Sequence, residues 1–119
     1  MKKILVVDDD PGITALLEKQ IQSAGFQPLL ESNGAAGMAR MRCDLPDLVI
    51  LDVMMPGLDG YSFLSEARSD ENLRHIPLIV ITAREELGEI FRTEGVAAFF
   101  PKPLNMGDLM SKVRMILGE

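Results

Sequence analysis

The sequence predicts a three-layer α/β fold: a doubly wound sheet of five parallel strands in the order 2-1-3-4-5, with five helices covering both faces. Three observations predict it. Ile4–Val7, Leu48–Leu51 and Leu78–Ile81 are apolar throughout, as strands buried on both faces of a parallel sheet must be. Strand-like runs alternate with helical periodicity five times along the chain, which is the pattern of repeated strand–helix–strand units. Prolines then sort the strands, because a residue without N–H is confined to edges, strand ends or bulges. Pro28 marks the second strand as an edge and Pro101 marks the fifth. The first and third runs both end in acids, and these can share a site only if their strands are neighbours. With right-handed crossovers, the order 2-1-3-4-5 satisfies both demands.

Each element has a local reason. Ile4–Val7 ends in Asp8-Asp9-Asp10, and Pro11 suits the first turn of a helix. Ile13, Leu16, Leu17, Ile21 and Ala24 trace one face of that helix, which Gly25 stops. Phe26–Leu30 is a short strand. Ser32-Asn33-Gly34 turns into a second helix reaching about Arg42, ended by Asp44-Leu45-Pro46. The strand Leu48–Leu51 stops abruptly at Asp52, and Pro56-Gly57 turns the chain soon after. Asp59 can cap a third helix that runs to about Arg68, with Phe63, Leu64 and Ala67 inward. Pro77 introduces Leu78–Ile81, which ends in Thr82. Glu85 and Glu86 complement the start of a fourth helix, with Leu87, Ile90 and Phe91 as its buried face and Gly95 as its end. Val96–Phe100 is the last strand, broken by Pro101-Lys102-Pro103. Asn105 and Asp108 open the final helix, whose stripe is Met106, Leu109, Met110, Val113, Ile116 and Leu117.

Composition narrows the possible functions. The 119 residues read as one domain, 1–119, large enough to bury a core without staples and free of repeats or linkers. A formal net charge of −6 disfavours non-specific binding of nucleic acid or a membrane surface by this domain. No apolar run approaches the roughly 20 residues of a membrane span, and no signal-peptide pattern opens the chain. The single Cys43 cannot form an internal disulfide, which points to a reducing, cytoplasmic setting.

The acids carry the chemistry. Asp8-Asp9 and Asp52 end neighbouring central strands at a topological switch point, where open α/β sheets place their ligand crevice. Three adjacent carboxylates repel, so without a cation at least one pKa rises. A divalent ion relieves the repulsion, and oxygen-only ligands suit Mg²⁺, Mn²⁺ or Ca²⁺ rather than zinc. A solvated turn capping the first helix accounts for one acid of Asp8-Asp9-Asp10, not for all. Thr82 and Lys102 end neighbouring strands on the same rim. Each alone is an ordinary strand-end residue. Beside an acid–metal site they complete a receptor for a phosphoryl group, in which metal and lysine neutralise its oxygens, the hydroxyl donates to one, and a carboxylate can act as nucleophile.

Val6-Val7-Asp8-Asp9-Asp10, Leu51-Asp52-Val53-Met54-Met55-Pro56-Gly57, Ile81-Thr82-Ala83 and Lys102-Pro103, in that order and spacing, resemble the receiver domain of two-component response regulators over the whole chain. The resemblance implies the flavodoxin-like version of the fold, with the strand order that the prolines give separately. It implies that Asp52 is the phosphoacceptor, attacking the phosphohistidine of a kinase in line to form an acyl phosphate. Asp9 is then expected to bind Mg²⁺ directly and Asp8 directly or through water, with Asp52 and the backbone carbonyl of Met54 completing the protein ligands. Lys102 is expected to bridge acceptor and phosphoryl oxygens, with a cis Lys102–Pro103 bond. Thr82 would move toward the phosphoryl group, and Phe99, three residues before the lysine, would turn inward behind it. The expected partners are a histidine kinase or histidine phosphotransfer protein and a downstream protein. The chain would be a self-phosphorylating and self-dephosphorylating switch rather than a turnover enzyme, monomeric or dimerising on phosphorylation. It would act by docking on a partner or as the receiver portion of a longer protein.

Some positions depart from the commonest pattern of that family. Met54 and Arg84 stand where the family tunes how fast water removes the phosphoryl group. The Thr82–Gly95 segment is about two residues short, roughly half a helical turn, and it borders the surface used for dimerisation and docking. Pro101 stiffens the switch strand, and Phe99 brings no hydroxyl. Phe99 and Phe100 also fit plain core packing. A haloacid-dehalogenase-like phosphatase would use Asp8 as nucleophile and Asp10 as acid, but Pro11-Gly12 replaces the Gly-Thr expected there. A flavin module on this fold needs a phosphate loop rich in Ser, Thr and Gly rather than an Asp triplet. A scaffold that never takes a phosphoryl group leaves the complete acid set without a purpose. His75 receives no catalytic role, Cys43 reads as small filler, and the methionines read as core or partner surface.

Overall fold

The apolar runs become strands because each can pair while helices cover it above and below. The computed structural model describes residues 1–57 and 59–118, with only the backbone of Glu89. In chain order it contains β1 (Lys3–Val7), α1 (Pro11–Ser23), β2 (Gln27–Glu31), α2 (Gly34–Asp44), β3 (Leu48–Asp52), α3 (Gly60–Ser69), β4 (Leu78–Thr82), α4 (Gly88–Thr93), β5 (Ala98–Pro101) and α5 (Met106–Leu117). A 3-10 turn, Glu85–Leu87, leads into α4. All paired strands run parallel, in the order β2-β1-β3-β4-β5. Pro28 sits in edge strand β2 opposite Ile4, and Pro101 is the last residue of edge strand β5, opposite Thr82. A missing N–H is tolerated at both places.

Side chains alternate across the sheet, so consecutive apolar residues feed two separate cores. Leu5, Val7, Val49, Leu51 and Val80 pack with Met41 of α2, Phe63 and Leu64 of α3 and Phe91 of α4. Ile4, Val6, Ile50, Ile79 and Ile81 pack on the other face with Leu17 and Ile21 of α1 and Leu109 and Val113 of α5. Strands β3 and β4 are buried along their whole length, which is why they carry no polar residue before Asp52 and Thr82.

The helices begin where short polar side chains can satisfy their first amides. Asp10 Oδ1 accepts from the amides of Gly12 (2.9 Å) and Ile13 (3.3 Å), and Pro11 follows as the first helical residue of α1. Asn33 caps α2, Asp59 caps α3 and Asn105 caps α5 in the same way.

Four local expectations are corrected. Leu16 is 46% exposed, because α1 turns Leu17 and Ile21 to the sheet and leaves Leu16 at the border of the stripe. Ile90 is 38% exposed: in a six-residue helix entered from a 3-10 turn, Phe91 is the large apolar side chain carried fully to the core among the described residues, with Leu87 half-buried. Strand β5 starts at Ala98 rather than Val96, since its pairing with β4 begins at the Ala97 amide on Leu78 O (2.9 Å). Cys43 is exposed near the end of α2 and fills no core space.

Candidate functional site

The parallel register brings the acids together. Val7 pairs with Leu51, so the next residues, Asp8 and Asp52, leave adjacent strands at the same level. One carboxylate oxygen from each of Asp8, Asp9 and Asp52 lies within 4.8 Å of the others. Asp8 and Asp52 are buried at 1% and 3% exposure, while Asp9 is exposed on the rim of an open crevice shared with Thr14 and Glu31. Asp10 is not part of the cluster's chemistry, because its carboxylate is engaged as the α1 cap.

Strands β4 and β5 deliver the remaining groups. The Lys102 amide donates to Thr82 O at 2.8 Å, which turns Lys102 over the strand ends. Its Nζ reaches Asp52 Oδ2 at 2.9 Å and Asp8 Oδ2 at 3.1 Å. The Lys102–Pro103 peptide is cis. Thr82 is fully buried, and its hydroxyl oxygen accepts from the Arg84 amide at 3.1 Å. Arg84 itself points outward, with Nε 2.7 Å from Glu86 Oε1. Met54 is 44% exposed, and its amide donates to Asp52 Oδ1 at 2.9 Å. The Asp10 amide does the same for Asp8 Oδ1 at 2.9 Å. Phe99 is half-buried and packs toward α4, whereas Phe100 packs on the opposite face of the sheet. His75 is exposed in the loop before β4, at the opposite end of the strands.

Electrostatically the site has three carboxylates against one ammonium. Burial pushes the Asp8 carboxyl above the usual carboxylate range, with the Asp52 charge adding to the rise and the Asp10 amide and Lys102 only partly opposing it. Burial alone would lower the Lys102 ammonium, but the hydrogen bond to Asp52 and the adjacent Asp52 and Asp8 charges outweigh that, and its pKa is raised. The lysine therefore stays charged. Among the described residues, no hydrogen-bond donor is aimed at the buried Asp8 Oδ2, because Lys102 approaches it as an ion pair off the hydrogen-bond axis. An orphaned buried oxygen, two further carboxylates within reach and an excess of negative charge fit a hard divalent cation such as Mg²⁺. Residue types alone locate the acids and the lysine. The backbone amides of Met54 and Asp10, which orient the two buried carboxylates, leave no trace in side-chain identity.

Comparison with known proteins agrees with this geometry. The response regulator receiver domain family matches residues 4–114. The response regulator PleD of Caulobacter vibrioides is 34% identical over 116 residues, 96% of this chain and 26% of PleD. The transcriptional regulatory protein CpxR of Klebsiella pneumoniae is 39% identical over 119 residues, 98% of this chain and 50% of CpxR. The chain thus spans a quarter to a half of the length of these relatives. Among solved structures, the Thermotoga maritima response regulator TrrA in complex with Mg²⁺-BeF is 31% identical with a TM-score of 0.87, covering 98% of this chain and 99% of that one. The chemotaxis response regulator CheY4 of Vibrio cholerae, 24% identical with a TM-score of 0.88 and covering 98% of each chain, shares the fold. Strand order, acid cluster and relatives converge, and the chain belongs to the response regulator receiver domain family, the phosphoacceptor switches of two-component signalling.

Proposed function

We propose that Asp52 is the phosphoacceptor of this switch. The observation that carries the assignment is the Lys102 ammonium, held 2.9 Å from Asp52 and 3.1 Å from Asp8 beside the acid cluster. A cation fixed by two buried carboxylates is already in place for the oxygens of an incoming phosphoryl group, so little reorganisation accompanies transfer. An Asp52 carboxylate oxygen attacks the phosphorus of a phosphohistidine on a histidine kinase or histidine phosphotransfer protein. The P–N bond breaks, the departing imidazole nitrogen takes up a proton, and an aspartyl phosphate remains. Asp9, Asp8, Asp52 and the Met54 carbonyl would hold Mg²⁺, or Mn²⁺ in its place, and the bound ion would offset charge on the phosphoryl oxygens. The Thr82 hydroxyl donates to one of those oxygens, and Phe99 responds to its movement. Met54, two residues after the acceptor, and Arg84, two residues after Thr82, set how fast water returns the chain to its starting state.

Phosphorylation adds roughly −1.5 to −2 charges and shifts a surface read by a downstream protein. The chain, 1–119, works as one receiver domain of the cytoplasm, as a monomer or a phosphorylation-dependent dimer. It binds neither nucleic acid nor membrane by itself and turns over no separate substrate. A phosphatase using Asp10 as acid is disfavoured, because that carboxylate is committed to two α1 amides. Incubation with Mg²⁺ and phosphoramidate, followed by intact-mass measurement, tests the assignment. One phosphate is gained by wild type and none by Asp52→Asn or in the presence of a chelator. No gain in wild type, or full gain in Asp52→Asn, rules it out.

A further inference from the structure

We propose that Gly88 is a positioning residue for Phe99, the seat through which movement at Thr82 reaches the ring. This rests on the reading of Thr82 and Phe99 as the moving pair. The connection is a short run of hydrogen bonds from the Thr82 side chain into the backbone of the turn. The Thr82 hydroxyl oxygen accepts from the Arg84 amide at 3.1 Å. Arg84 O accepts from the Leu87 amide at 3.2 Å, and Glu85 O accepts from the Gly88 amide. Phe99 stands opposite Val80 on the neighbouring strand, two residues before Thr82, so the ring and the turn meet over the same strand end.

The meeting is close. A Cβ built on Gly88 would lie 2.9 Å from Phe99 Cε1, 3.0 Å from Cδ1 and 3.2 Å from Cζ, so one edge of the ring rests against the bare Cα. Gly88 has ordinary helical angles, φ −57 and ψ −44, so its backbone has no need of glycine. An isolated glycine in a helical stretch weakens the helix. Contact with the ring, not conformation, explains it here.

The start of α4 is also held differently from its neighbours. Helices α1, α2, α3 and α5 are capped by Asp10, Asn33, Asp59 and Asn105, whereas among the described residues neither α4 nor the 3-10 turn before it has a side-chain cap bond. The hydroxyl of Thr82 takes that place indirectly, by fixing the Arg84 amide at the head of the turn. When Thr82 turns its hydroxyl toward a phosphoryl group, the Arg84 amide must follow or lose its acceptor. The turn and Gly88 then move with it. The Phe99 ring loses its seat and changes position.

A double-mutant cycle of Gly88→Ala and Phe99→Ala tests this. Alanine is the better helix former, so propensity alone raises the melting temperature in either background. The seat predicts a lower melting temperature for Gly88→Ala when Phe99 is present and a higher one when it is replaced by alanine. It also predicts that Gly88→Ala changes the rate of phosphorylation by phosphoramidate by about threefold or more in the Phe99 background and leaves it unchanged in the Phe99→Ala background. Equal effects of Gly88→Ala in both backgrounds, on melting or on rate, overturn the proposal. Failure of wild type to take up phosphate would instead defeat the assignment of Asp52, and the melting cycle would still decide whether Gly88 seats the ring.

Discussion

Asp8 shows how function sets a residue against stability. Its carboxylate is buried beside Asp52, so the folded protein disfavours its ionised form and its pKa rises. Between the ordinary carboxylate pKa and the raised one, the folded state binds more protons than the unfolded state, so metal-free stability falls as pH rises through that window. Asp8→Asn removes this penalty while keeping the shape, and urea unfolding should show a flatter dependence on pH and greater metal-free stability at neutral pH. The same variant should need more Mg²⁺ for phosphorylation. A metal-free variant less stable than wild type at neutral pH would contradict the repulsion. Asp8, Asp9, Asp52, Thr82 and Lys102 were all legible in the sequence because each ends a strand-like run. That one acid of Asp8-Asp9-Asp10 caps α1 was legible too, but that the cap is Asp10 comes from the fold, since residue type alone does not separate a cap from a ligand. Gly88 was hidden for a related reason: its signal is a clash that only the folded chain defines.

At the scale of elements, capping residues and apolar periodicity gave α3 and α5 their observed starts, and the proline argument gave both edges of the sheet. Helix α4 is the element least legible in the sequence. With six residues, no side-chain cap and a 3-10 entry, its shape follows from contacts with the Thr82 loop and Phe99 more than from its own pattern. The end of α2 carries a different irregularity. Leu45 closes that helix in the left-handed region at φ 47, where a side chain is disfavoured, and it is half exposed. Leu45→Gly should therefore stabilise the fold by about 0.5–1 kcal/mol, measured by urea unfolding, despite the extra freedom glycine has when unfolded. Destabilisation by a similar amount would mean that the exposed leucine contributes more through packing than its backbone costs.

For the whole molecule, the sheet has two jobs that the same residues perform. Covering both faces makes the central strands apolar, and ending them in acids at one level places repelling charges where only a cation or a lysine can balance them. Binding should then couple to folding. Mg²⁺ at ten times its dissociation constant should add about 1.4 kcal/mol of stability, seen as a rise in melting temperature that Asp9→Asn largely removes. An equal rise in that variant would place the ion elsewhere.

The most direct measurement locates the phosphoryl group itself. Protein phosphorylated in Mg²⁺ is reduced with borohydride, which converts an aspartyl phosphate to homoserine, and the modified residue is found by peptide sequencing in a mass spectrometer. An acceptor at the end of β3 predicts homoserine at position 52, dependent on Mg²⁺, with Asp8 and Asp9 unmodified. Homoserine at position 8 or 9, or at none of the three, would contradict it.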